Sequence, residues 1–434
     1  MRREYRFAIL FTLSFWSFSR AEIGAGMEVG TGTRALSFAG NHTAVANDLS
    51  AVYWNPAALA LLPVREFQVS FDGARVYGAS GVTGKSVTIP TGADMSDYID
   101  RIRLSGAGAM TAIPTVQGGL TLAFSFDRPF IFDDITVYTY ENGQDTIMSA
   151  EGRRYGDLNR WSGAFGVQAS DKISAGLTIS LITGNEKAPI FQEKRNSGTG
   201  AIIEKYVDEY QNRYLGYQLT GGLLYYPMDI LKIGMRINAA MDIGVKETRV
   251  GELIDVEGGL YDTINWNDKV GVSGRAYTAP SGAVGAGLVL PWLTAALDFR
   301  VTMPYTFILP SEDIGKNVQA REFKCGAGVG FEVPLPAAPV VLRGGYSLDE
   351  YDLYPIVHEF EDEESINWDA FGVVFSADGL MHTLTAGAAV FTSGIGFELS
   401  YGCRIWGIVN TSDSRKVKQR YSSHRVMTAI IFRY

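Results

Sequence analysis

The sequence predicts an all-β fold, an antiparallel transmembrane β-barrel of about 14 strands with an N-terminal plug segment in the lumen. Three observations predict it. Segments of about ten residues alternate apolar and polar side chains, as tilted membrane strands do. Their number is even, and short and long connections alternate between them. After residue 21 no apolar run is long enough to span a bilayer as a helix, so a span has to come from strands closed on themselves.

Composition sets the frame. A chain of 434 residues with 46% hydrophobic residues, 12% aromatics and 49 glycines suits one large closed barrel. The net charge of −9 argues against nucleic acid as a partner, because binding phosphates requires a basic face. Residues 1–21 read as a secretory leader: Arg2, Arg3 and Arg6 precede the apolar run Phe7–Phe18, and Ser19-Arg20-Ala21 offers a cleavage site. Residues 22–64 read as the plug and 65–434 as the barrel.

Strands are expected near 66–78, 105–113, 117–127, 160–170, 173–184, 214–226, 230–243, 278–290, 292–302, 320–333, 338–348, 382–391, 394–405 and 424–434. In the segment from Leu231 to Ile243, the odd-numbered residues Leu231, Ile233, Met235, Ile237, Ala239, Met241 and Ile243 suit lipid. Lys232, Gly234, Arg236, Asn238, Ala240 and Asp242 suit the lumen. The segments Leu293–Thr302 and Ile395–Ile405 repeat the pattern. Short turns such as Ser170-Asp171-Lys172, Pro227-Met228-Asp229 and Thr392-Ser393 mark one side of the membrane. Charged stretches such as Gln192–Glu209 and Asp349–Glu364 read as long external loops. The last strand ends Val426, Thr428, Ile430, Phe432, Tyr434 on one face, which resembles the signal read by barrel-assembly machinery. Cys325 and Cys403 fall on the apolar face of separate strands and are expected to be free thiols.

The segment from Gly30 to Pro63, GTGTRALSFAGNHTAVANDLSAVYWNPAALALLP, does not alternate, and Gly32, Gly40 and Pro56 break it into short pieces. Its order Gly32-Thr33-Arg34-Ala35, Gly40, Ala46-Asn47-Asp48-Leu49-Ser50-Ala51 and Tyr53-Trp54-Asn55-Pro56-Ala57 resembles the N-terminal hatch of the FadL and TodX family of outer-membrane transporters. That resemblance covers about a tenth of the chain. It implies a fourteen-stranded, hatch-plugged barrel that takes up long-chain fatty acids or other small hydrophobic compounds, with no cofactor. Asn55, Pro56 and Ala57 match the family's Asn-Pro-Ala hatch motif. The same pattern also resembles related PorV-type barrels that act as scaffolds or shuttles in protein export, so two functions stay open. An open diffusion porin is a third, disfavoured by a filled lumen.

The transporter reading implies a route, through the hatch or through a gap in the wall. In the family a kink in the third strand supplies a gap, and here Pro114, Gly118 and Gly119 flank that strand. An ordinary turn is the simpler explanation of them and is preferred. A ligand carboxylate needs a lumenal cation, and Lys232, Arg236, Arg300 and Arg404 lie on predicted lumen faces. Pairing with Asp242, Asp298 or Glu398 is the competing role for these cations. Around His42, His358, His382 and His424 there is no nucleophile motif, and metal-ligand spacing is absent, so neither an enzyme nor a metal site is expected.

Overall fold

The computed structural model describes residues 31–62, 64–82, 103–115, 119–142, 146–196, 198–257, 260–278, 280–303, 305–308, 317–321, 323–336, 338–350, 357–360, 375–376, 380–412 and 415–434. The expected leader and Gly118 lie outside them, as does most of the stretch from Asp349 to Glu364.

The described residues form a closed antiparallel barrel of 14 strands. They are β1 (Glu66–Val82), β2 (Arg103–Pro114), β3 (Gly119–Asn142), β4 (Thr146–Ser170), β5 (Ile173–Asn196) and β6 (Ile202–Met228). Then come β7 (Leu231–Asn238, continued as Met241–Glu257), β8 (Leu260–Thr278, continued as Ser281–Leu290), β9 (Leu293–Thr302) and β10 (Lys324–Pro334). The last four are β11 (Val340–Glu350), β12 (Leu380–Phe391), β13 (Ile395–Ser412) and β14 (Arg415–Arg433). Closure comes from β1 against β14, in register from Glu66↔Arg433 to Val82↔Val417. All backbone donors in such a closed ladder find acceptors within the wall, which an open sheet edge in lipid could not provide.

Alternation sorts the two faces as expected in most strands. On β13, Ile395, Phe397, Leu399, Tyr401 and Ile405 are exposed while Gly396, Glu398, Ser400, Gly402 and Arg404 are buried. Together with Phe124, Leu215, Ile237, Leu297 and Phe299, all exposed, they make an outward apolar belt. Such a belt around a closed, even-stranded barrel fits the hydrocarbon layer of the bacterial outer membrane.

Two expectations fail for identifiable reasons. In β7 the alternation does not persist to Ile243, which is fully buried on the inner face. Thr220 pairs with Asn238 but Tyr217 with Asp242, so β7 carries one extra residue around Ala239–Ala240. A one-residue bulge moves every later side chain to the other face. Gln192–Glu209 is not a long loop either. β5 continues to Asn196 and β6 resumes at Ile202, joined by a tight turn. Opposite charges facing across this pair, Glu193↔Lys205 and Lys194↔Glu204, support a strand that is wet on both faces and therefore shows no apolar period. β3 to β8 thus rise well past the belt, and the described parts of β9 to β12 span 10 to 12 residues each.

Cys325 and Cys403 are free thiols on outward positions of β10 and β13. Alkylation of unreduced protein in detergent is expected to add two groups per chain, read by intact mass; a mass unchanged until a reductant is added would contradict the strand phase.

Candidate functional site: a buried plug and its seam

Residues 31–62 pack across the barrel interior. Two short helices, α1 (Thr33–Ser37) and α2 (Ala51–Trp54), are followed by a 3-10 turn over Pro56–Leu61. Helix α1 stops because Ala39 and Gly40 take positive φ of 53° and 78°, and the Gly40 N–H donates back to the Ala35 carbonyl at 3.0 Å, a helix-closing bond that leaves no room for another turn. Asn55, extended at φ −167°, accepts from the Ala57 N–H at 3.2 Å, and Pro56 follows where a missing N–H does no harm. The Asn55 amide also donates to the Thr43 carbonyl at 2.8 Å and to the Leu223 carbonyl of β6 at 3.1 Å. Asn55 therefore ties the plug's two halves together and to the wall.

Glycines on the inner face make room for it. A Cβ at Gly176 or Gly222 would overlap Pro56 or Asn55, and one at Gly166 would lie 2.7 Å from the Ala60 nitrogen. Across the lumen, Gly330 and Gly345 meet Phe38, Gly328 meets Asn41, and Gly387 meets Ser37 in the same way. The 3-10 turn lies against β3 to β6, and α1 against β11 to β14.

The polar contacts are charge-paired. Arg34, 3% exposed, donates from Nε and Nη2 to the two Glu332 oxygens at 2.8 and 3.2 Å, and from Nη1 to the Val45 carbonyl at 2.9 Å. Arg343 bridges Glu332 and Glu398, each at 2.7 Å. Asp298 accepts from the Thr43 N–H at 2.9 Å, and Arg300 reaches Asn41 at 3.0 Å and Asp349 at 2.8 Å. On the far side Arg160 grips Asp127 through two bonds of 3.0 and 2.8 Å and lies 4.2 Å over the Tyr53 ring. Glu66 joins Arg433 at 2.8 Å to the Leu49 N–H at 2.9 Å.

This arrangement redistributes the expected ligand cations. Arg300 holds Asn41 and Asp349; Arg236 lies 5.0 Å from the Tyr53 ring and 5.1 Å from the Trp54 ring; Arg404 is buried and engaged. Lys232 stands at the short-turn end of β7, half-buried, so the four are not gathered into one site. Glu398 pairs with Arg343, and Asp298 with the plug backbone. Sequence reasoning missed Arg34, Glu332, Arg343 and Arg160. Arg34 had a signal, as a lone cation in an apolar stretch, and Glu332 and Glu398 share inward positions on their strands. Nothing in sequence pairs residues 298 positions apart.

Pro114 and Gly119 are the terminal register pair of an unbroken β2–β3 ladder running to Gly106↔Asp127. The third strand is irregular elsewhere: its pairing with β4 slips between Asp127 and Phe130, where Pro129 lacks a donor. Just inside lies a pocket between plug and wall, lined by Thr31, Gly32, Leu49, Ser50 and Tyr53 on one side and by Ser70, Ser105, Ser125 and Asp127 of β1 to β3 on the other.

His42 sits fully buried between Phe38 and Trp54, with Nε2 3.5 Å from Arg34. Burial first, then the Arg34 charge, holds its pKa down at about 3 from an ordinary 6.5. The unfolded chain binds this proton below pH 6.5 and the folded chain does not, so the stability tied to a neutral His42 is complete above pH 6.5 and is lost as pH falls toward 3. His42→Gln is expected to flatten the fall in unfolding free energy, read from urea titrations, between neutral and acid pH, by on the order of a few kcal/mol; parallel pH profiles would contradict this. Arg34→Met leaves Glu332 facing only Arg343, and breaking one partner of a buried pair costs roughly 3–5 kcal/mol. The loss should appear in the urea midpoint and be partly restored by adding Glu332→Gln.

No protein-family model matches the chain, and neither does any curated sequence. Solved structures do. A FadL homologue from Pseudomonas aeruginosa is similar at 14% identity and TM-score 0.57, with 93% of this chain and 98% of that chain covered. The P. putida toluene transporter TodX is similar at 13% identity and TM-score 0.62, covering 94% and 99%. The monoaromatic hydrocarbon channel CymD follows at 11% identity and TM-score 0.52, covering 92% and 97%. TodX is a toluene transporter and CymD a monoaromatic hydrocarbon channel. The chain is a fourteen-stranded antiparallel barrel with the fold of the FadL homologue and the TodX and CymD channels.

Proposed function

We propose that this protein carries small hydrophobic compounds across the outer membrane, around the edge of its plug. The observation that carries the reading is the asymmetry of the plug. Toward β4 to β6 and β9 to β13 it is interlocked by glycine-backed contacts and ion pairs. Toward β1 to β3 it is also held, by Ala60 against Gly119, Leu49 against Gly108 and the Leu49 N–H on Glu66, but it leaves the pocket beside the slipped third strand. A ligand taken in from the external side would move along this seam, and a shift of Thr31, Leu49 and Tyr53 would widen it without breaking the Arg34 contacts. TodX and CymD are named for toluene and monoaromatic hydrocarbons, which supports a hydrophobic cargo.

A long-chain fatty acid is one such cargo. Its carboxylate would compete for Arg236, Arg300 or Arg404, which already hold protein groups, or meet Lys232 near the periplasmic end. A neutral hydrocarbon demands no such exchange. Surrounding lipid and the barrel-assembly machinery, read through the strand ending in Phe432 and Tyr434, are the remaining partners of this reading. The tall wall of β3 to β8 favours a second one, in which a scaffold or export barrel presents that wall to a protein partner.

The test is flux into proteoliposomes of toluene, oleate and a small sugar, for the native chain and for Asn55→Ala with Pro56→Gly. Saturable entry of a hydrophobic solute with the sugar excluded, and sugar leakage appearing in the hatch variant, is the expected outcome. Entry of neither hydrophobic solute would shift the reading to the scaffold, and rapid sugar entry into the native chain would mean an open lumen.

A further inference from the structure

The pocket beside the slipped third strand has two unlike walls. On the plug side stand Leu49, Val52 and Tyr53, apolar and aromatic; on the barrel side stand Gln68, Ser70, Ser105 and Ser125, polar and uncharged. Strand pairing sets this contrast. Gln68 of β1 pairs with Gly108 of β2, and Gly108 with Ser125 of β3, so Gln68 and Ser125 share one row of the inner face with only a glycine between them. Their backbones stand about 10 Å apart, two strand spacings. Leu49 covers the glycine, where a Cβ would come within 2.7 Å of the leucine Cδ2. The β1–β2 register slips between Ser70 and Phe71 and leaves Ser105 over. A bulge of this kind re-aims a side chain, and Ser105 is buried against the pocket.

Two of these polar groups are left open. Ser105 donates to Ser70 at 3.1 Å, and Ser70 to the Gly106 carbonyl at 3.3 Å. Gln68 is 5% exposed and Ser125 7%, yet among the described residues neither the Gln68 amide nor the Ser125 hydroxyl has a hydrogen-bond partner. Buried polar groups without partners are rare because each costs the desolvation of that group, and these two line the same pocket.

Charge narrows the occupant. Among the described residues no Lys or Arg lines the pocket, and both oxygens of its one carboxylate, Asp127, accept from Arg160 at 3.0 and 2.8 Å. An anion would enter beside a carboxylate with no lining cation to meet it. A plain hydrocarbon would leave Gln68 and Ser125 buried and unbonded. A hydroxyl on a hydrophobic ring can donate to the Gln68 carbonyl oxygen and accept from the Ser125 hydroxyl, while the ring lies against Leu49 and Tyr53.

We propose that this pocket binds small hydrophobic compounds that carry an uncharged hydroxyl, phenols and alcohols, with Gln68 and Ser125 as the groups that select them. The proposal rests on the reading that cargo moves along the seam, and it names the chemical class of that cargo.

The probes are p-cresol, toluene and p-toluate, which hold the methyl-bearing ring constant and change its other substituent from hydroxyl to hydrogen to carboxylate. Affinity is read by equilibrium dialysis against the purified barrel in detergent, with empty micelles as the blank. The variants are Gln68→Leu with Ser125→Ala, and each substitution singly. Neither side chain bonds within the described protein, so their removal breaks no hydrogen bond there, and folding is checked by the heat-dependent shift of the barrel on gels. The ratio of p-cresol to toluene affinity should be about ten-fold higher in the native chain than in the double variant, a difference of about 1.4 kcal/mol. The native chain should bind p-toluate more weakly than p-cresol. A ratio that is the same in native and variant protein would overturn the proposal. So would p-toluate bound as tightly as p-cresol, or no probe bound at all, which would leave the pocket to water. Flux of toluene and p-cresol into proteoliposomes separates this result from the transport reading. Selective binding without flux of either compound would keep the site and defeat transport, whereas flux of both with an affinity ratio indifferent to the variants would keep transport and defeat the site.

Discussion

A guanidinium buried in a barrel lumen has to be met by carboxylates from the wall, and the plug is organised around that requirement. Arg34 brings a full charge into a segment otherwise built of small and apolar residues, and Glu332 receives it through two hydrogen bonds. Glu332 in turn shares Arg343 with Glu398, so β10, β11 and β13 are drawn into one charge network with α1. The plug cannot rotate or slide without uncovering one of these charges in a water-poor interior. Its position on this side is fixed by electrostatics before any apolar contact is considered.

Glycine completes the constraint. The plug's backbone lies against the wall's backbone at Gly166, Gly176, Gly222 and Gly345, closer than any side chain allows. A wall that accepts a backbone so closely has little slack. Toward β1 to β3 the plug is held as well, by Ala60 against Gly119, Leu49 against Gly108 and the Leu49 N–H on Glu66, but between these contacts a serine-lined pocket remains beside the register slip at Asp127–Phe130. The seam is therefore a local gap in an otherwise close-packed interface.

Much of this fold was legible in sequence because a strand with lipid on one side and lumen on the other must alternate. Each of the 14 expected strands has its counterpart, and the segments Leu293–Thr302 and Ile395–Ile405 show the expected faces. What escaped obeys different physics. The bulge at Ala239–Ala240 is one residue long and chemically silent, since alanine suits either face. The extensions of β5 and β6 rise into water on both sides and lose the period that identifies a strand. Asn55-Pro56-Ala57 was legible as a motif, yet its work of joining Thr43 to Leu223 depends on a chain segment 168 positions away. Arg300 and Arg236 were rightly placed on the lumen side, but which partner a lumenal cation meets is decided by how the plug lies, and strand periodicity carries no information about that.

The central claim is that the plug's charged side stays fixed while cargo passes on the other. A covalent lock tests it directly. Ala44 of the plug and Gly287 of β8 lie so that a Cβ on Gly287 would stand 3.4 Å from the Ala44 Cβ, at the near edge of the roughly 3.5–4.5 Å that a disulfide spans, and 2.4 Å from the Val45 Cγ1, so that Val45→Ala has to accompany the lock. With the two native cysteines replaced by serine, Ala44→Cys and Gly287→Cys pin the plug to the wall opposite the seam. The account predicts that hydrophobic flux through the oxidised, locked protein equals flux after reduction. Flux abolished by the lock and restored by a reductant would contradict it, showing that the plug has to leave its charged seat for anything to pass.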